Sequence, residues 1–81
     1  MPYIQATQRY ELNEEGGYPC TAGELNYLFT QTAVKYFEAN GKSYQTFNDV
    51  IGALEGCKLE LYRRLVAPYE DTKIGENGDV Y

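Results

Sequence analysis

Three adjacent side chains, Tyr62, Arg63 and Arg64, form the strongest chemical grouping in this sequence of 81 residues. Arginine grips phosphate bidentately, and tyrosine offers a flat face on which a base can stack. Tyr69 lies close by in sequence, and Arg9 and Tyr27 are the next side chains of these two types that a pocket could recruit. Adjacent helical residues point about 100° apart, so one pocket on one subunit would have to wrap the helix to use both arginines. The alternative is structural: arginines near a helix C-terminus offset its dipole and bridge to acidic neighbours such as Glu60.

Catalysis is harder to assemble from these residues. The chain has no His, and neither Cys20 nor Cys57 stands beside a base, so no nucleophile–base pair can be put together. Glu14-Glu15 and Glu70-Asp71 are paired acids, but each lies in a polar, solvated stretch. No glycine-rich phosphate loop follows a strand. The chain reads as a non-enzyme with no cofactor and no metal.

Length and charge narrow the class further. One small core must offset ordering costs on the order of 120 kcal/mol at about 1.5 kcal/mol per residue. Burying a second apolar face against another copy is the simplest way to add stability. A net charge of −5 argues against gripping a nucleic-acid polymer, which needs clustered Lys and Arg. No run of 18 apolar residues is present to span a membrane. The first ten residues lack the basic start and apolar core of a signal peptide. Two thiols without His suggest reduced cysteines in a cytoplasmic protein. Nine tyrosines against three phenylalanines and no tryptophan suit interfaces, where a ring is buried and its hydroxyl stays wet.

The elements that must position these side chains are helices. Thr21 and Glu24 have capping-box spacing, and a helix from about 22 to 39 follows, ended by Asn40-Gly41. Its stripe is Leu25, Leu28, Phe29, Thr32, Tyr36 and Ala39, with Tyr27, Val34 and Phe37 off it. The second helix should run from about 47 to 67, stopped by Pro68. Ser43 could cap it early, but Thr46 with Asp49 is the better box. Phe47, Val50, Ile51, Leu54, Cys57, Leu61 and Leu65 form its stripe. Gly52 and Gly56 each cost about 1 kcal/mol against Ala inside a helix, so they mark either a close helix crossing or the floor of a ligand site.

The ends are less regular. Ile4, Tyr10 and Leu12 could anchor a weak helix over about 7–12, before a loop at Asn13 to Gly17. The tail from Tyr69 allows a short helix to Ile74 and a turn at Asn77-Gly78. Val80-Tyr81 either frays or docks on a neighbouring subunit. The expected fold is therefore a single all-α domain with an antiparallel helical hairpin (about 22–39 and 47–67). Residues 1–20 form an arm and 68–81 a tail, and the whole assembles as a homo-oligomer with Gly52 and Gly56 near a helix crossing.

The segments Gly23-Glu24-Leu25-Asn26-Tyr27, Ser43-Tyr44-Gln45-Thr46, Asn48 to Glu55, Tyr62-Arg63-Arg64, Pro68 to Asp71 and Asn77 to Tyr81 carry a family likeness. They resemble a family of small uncharacterised proteins encoded by bacteriophages and bacteria. The likeness covers about residues 22–81; before that, only Pro2-Tyr3-Ile4 matches well. It implies a phage setting in the host cytoplasm and no particular chemistry. Phage proteins of this size and class include oligomeric sponges that sequester cyclic nucleotide or cyclic ADP-ribose defence signals between subunits. The expected function is such a sponge, with Arg63, Arg64, Tyr62, Tyr69, Arg9 and Tyr27 as ligand-binding residues. The rival is an acidic adaptor or inhibitor of a host protein.

Overall fold

A computed structural model describes residues 1–81, and every regular element in it is helical. Helix α1 is Ala6–Asn13, α2 is Ala22–Asn40, α3 is Tyr44–Leu61 and α4 is Ala67–Asn77. A single π turn, Tyr62–Val66, joins α3 to α4 without a break. The chain divides into two compact units, Met1–Thr46 and Phe47–Tyr81.

The first unit is built on the pairing of α1 with α2. Leu12 and Tyr27 are its buried hydrophobic side chains. The Tyr27 hydroxyl accepts a hydrogen bond from Asn13 Nδ2, which satisfies the one polar atom that burying the ring would otherwise strand. Gln8 Nε2 donates to Glu24 Oε2 at 2.7 Å, a second tie between the helices. The face of α2 that meets α1 is therefore the one centred on Tyr27, not the stripe of Leu25, Phe29 and Tyr36, which stays on the surface. Periodicity favoured the stripe because it counts apolar residues; a short partner helix covers only one narrow sector.

Local chemistry explains the ends of these helices. The Thr21 hydroxyl accepts the Glu24 N–H, and the Glu24 carboxylate reaches back to the N–H of Cys20, one residue further than an ordinary capping box. Gly23 has a different use: a Cβ there would come within 3.2 Å of both Ile4 Cγ2 and the Met1 carbonyl oxygen. The first residues thus lie against the start of α2, and a side chain at 23 would push them off. Gly41 ends α2 at φ 82°, a conformation open to glycine and strained for other residues.

Helix α3 starts earlier than the sequence suggested. Ser43 and Thr46 exchange bonds, the Ser43 hydroxyl accepting the Thr46 N–H at 3.1 Å and the Thr46 hydroxyl accepting the Ser43 N–H at 2.8 Å. The Thr46 hydroxyl also donates to the Gly41 carbonyl, and its side chain is buried. Thr46 is the third residue of the helix, not its cap, so the helix begins at Tyr44.

The far end also differs. Pro68 was expected to stop the helix at 67; instead the helix runs through it to Asn77. In a regular α-helix the Pro68 ring would collide with the Arg64 carbonyl. The π turn absorbs this conflict, and the Ala67 N–H bonds five residues back to the Tyr62 carbonyl. The expected short helix after Tyr69 is thus a continuation of α3, and Gly78 closes it at φ 87°.

No residue of the second unit is buried. Phe47, Ile51, Leu54, Leu61, Leu65, Val66 and Tyr69 each expose between 42% and 66% of their surface. A helix with this much apolar surface in water gains little from its own folding. Gly52 and Gly56 sit on the opposite side, and a Cβ on either would meet nothing within 4 Å. Ala at each position is therefore expected to stabilise the helix by about 1 kcal/mol, read as a higher melting temperature. A loss of stability instead would mean that a second backbone seats on the glycines.

Candidate binding site at the wide turn

The π turn brings Tyr62, Arg63 and Arg64 together with two acids of the same helix. Arg63 Nη2 lies 3.0 and 3.1 Å from the two carboxylate oxygens of Glu60, and Arg64 Nε donates to the same carboxylate. Sequence-adjacent guanidiniums reach one acceptor because Glu60 stands three residues before one and four before the other. One carboxylate facing two guanidiniums leaves a net positive charge at this point of an acidic chain. All three side chains are at least half exposed, so the ion pairs themselves add little stability.

Tyr62 faces along the helix. Its hydroxyl donates to a Glu70 carboxylate oxygen eight residues later. Seven residues make two α-turns, and eight do so here because the π turn takes one extra. The bond to Glu70, followed by its negative charge and some desolvation, holds the Tyr62 hydroxyl above the ordinary tyrosine pKa. Because the folded value is raised, this bond stabilises fully below the unfolded pKa of about 10 and is lost as pH rises through the folded value. Tyrosinate absorbance should therefore show one tyrosine ionising later than an exposed tyrosine would. Glu70→Gln should bring that step down, and a titration unchanged by Glu70→Gln would mean that the bond does not form in solution.

Tyr69 follows on α4, with Lys73 Nζ 5.6 Å from its ring centroid. A ring with a cation on it remains open for stacking on its other face. Arg9 and Tyr27 belong to the other unit. Arg9 Nη1 donates to the Ile4 carbonyl at 2.9 Å and ties the first residues to α1. Tyr27 is a core side chain with its hydroxyl engaged by Asn13. Four of the six residues singled out from sequence thus share one helical stretch.

Sequence reasoning missed Glu60 as the shared partner of both arginines and Glu70 as the partner of Tyr62. The first was legible in the spacing of three and four residues. The second needed the extra residue of the π turn. Two further concavities lie elsewhere: an opening of about 380 Å3 beside Leu12, Leu28 and Lys35, and a shallow groove of about 320 Å3 where Val80 and Tyr81 turn past Ile74. No group of three or more His, Cys, Asp or Glu side chains is placed to hold a metal ion, and no helix is long and apolar enough to cross a membrane.

These features define a small helical protein with an exposed amphipathic helix and a basic turn. The chain belongs to the family described as a domain of unknown function (DUF6899), whose model matches residues 1–80. The match extends the family likeness back through α1 and the N-terminal segment, beyond the 22–81 expected from sequence. No curated protein and no solved structure matches the chain.

Proposed function

We propose that this chain is a non-enzymatic binding protein that works as a homo-oligomer, with α3 to α4 as its assembly element. The observation that carries this reading is the apolar stripe of that helix, where Ile51, Leu54, Leu61, Leu65 and Tyr69 stay largely exposed. In the assembly, the turn at Tyr62, Arg63 and Arg64, with Tyr69 beyond it, captures a small anionic ligand of the nucleotide-derived signal class, as a phage sponge would. The surplus positive charge over Glu60 supports an anion, and the tyrosines supply stacking surface. Arg9 and Tyr27 drop out of the ligand set because their polar groups hold the first unit together.

Thermal melting against cyclic dinucleotides and ADP-ribose derivatives tests the ligand. A compound at 100 times its dissociation constant adds about 2.7 kcal/mol, a shift of several degrees for a domain of this size. The double variant Arg63→Ala, Arg64→Ala should lose that shift while keeping its helical content. No shift with any compound removes the sponge and leaves the second reading, an acidic adaptor for a host protein. The net charge of −5 around an exposed apolar stripe favours that reading.

A further inference from the structure

The apolar residues of α3 recur at alternating intervals of three and four: Phe47, Val50, Leu54, Cys57 and Leu61. That is the spacing of a two-helix seam. Continued unchanged, it would next place Arg64 and then Pro68 in the seam. With one residue inserted it places Leu65 and then Tyr69 there instead. The π turn at Tyr62–Val66 is that insertion, and the eight-residue reach from Tyr62 to Glu70 shows the helix re-phased across it.

We infer that the seam from Phe47 to Leu65 is covered by the same seam of a second copy running antiparallel, with Leu54 level with the partner's Cys57. This deepens the assembly reading and rests on it. In that register Val50 meets the partner's Leu61 and Phe47 meets the partner's Leu65, so the two small side chains, Val50 and Cys57, and the one aromatic each face a leucine. A parallel pair would stack Phe47 on Phe47 and Cys57 on Cys57, leaving crowded and loose layers in alternation. The exposed seam, with Ile51 at its edge, amounts to roughly 600 Å2 on each copy, near the 1,200 Å2 total at which stable interfaces begin.

Cysteine cross-linking in a Cys20→Ser, Cys57→Ser background reads the register. Phe47→Cys and Leu65→Cys chains, mixed and mildly oxidised, should give a covalent dimer containing one of each. Either chain alone should give none, because 17 or so residues, about 25 Å along the axis, separate like positions, and a disulfide tolerates about 7 Å. Val50→Cys mixed with Leu61→Cys repeats the test with smaller changes, should Phe47→Cys fail to fold. Cross-links within each single variant would establish a parallel pair and overturn the register while leaving the assembly standing. A dimer in solution with no cross-link in either mixture also overturns it. A monomer overturns both the register and the assembly.

Discussion

Leu61→Asp is expected to turn the assembly into monomers and to strip the long helix of much of its helicity. Leu61 lies in the apolar seam, a little under half exposed in the chain alone. Association would remove it from water. A carboxylate buried there without a partner costs about 3–5 kcal/mol, and a symmetric pair carries it twice. The dissociation constant should rise by at least about four decades. The monomer left behind has a helix with nothing to pack on, so circular dichroism should show helix loss together with the fall in mass. Gly52→Ala serves as the control. It changes the same helix on the open side, and it should raise helicity and leave the mass unchanged.

The other large effect is in the first unit. Tyr27→Ala removes the larger of its two buried hydrophobic side chains and leaves Asn13 Nδ2 without its acceptor. Truncating a buried aromatic costs about 3–5 kcal/mol, much of the stability that a core this small can hold. The expected result is loss of the α1–α2 pairing, seen as fast amide exchange over residues 6–31 and a much lower melting temperature. Tyr27→Phe separates the parts, since it keeps the ring and gives up only the hydrogen bond to the exposed Asn13, at a cost of about 0.5–1.5 kcal/mol. If Tyr27→Ala melts like the unmodified chain, Tyr27 is not the centre of that core.

The helices themselves were legible because their signals are local. Thr21 with Glu24, Asn40-Gly41 and the apolar spacing of 25–39 set α2 to within a residue of its observed span. What could not be read depends on a choice between two local signals or on something several turns away. Ser43 and Thr46 are both competent caps, and the decision went to Ser43 because the Thr46 hydroxyl could also reach the Gly41 carbonyl. Pro68 reads as a stop in any window centred on it, yet a single wide turn let the helix pass. Nothing in the residues from Tyr62 to Val66 announces a π turn by type. The mismatch between the three-and-four spacing and the positions of Arg64 and Pro68 was the available clue.

The candidate site divides along the same line. Arg63, Arg64 and Tyr62 were visible as residue types, and Glu60 was visible as the partner of Arg64 at four residues. The contact of Glu60 with Arg63 was equally legible in the three-residue spacing, whereas the reach of Tyr62 to Glu70 follows from helix geometry across the turn. Tyr27 looked like spare aromatic surface because it lies off the apolar stripe of its helix. Its burial depends on α1, a helix whose sequence is mostly polar.

Assembly on the helix from α3 to α4, as proposed, makes the mass of the protein in solution the decisive quantity. Sedimentation equilibrium of the unmodified chain, followed from micromolar to millimolar concentration, tests it most directly. The expected result is a mass of at least twice that of the chain, with dissociation on dilution and recovery on concentration. A single-chain mass across the whole range, with the helix still formed, would contradict it.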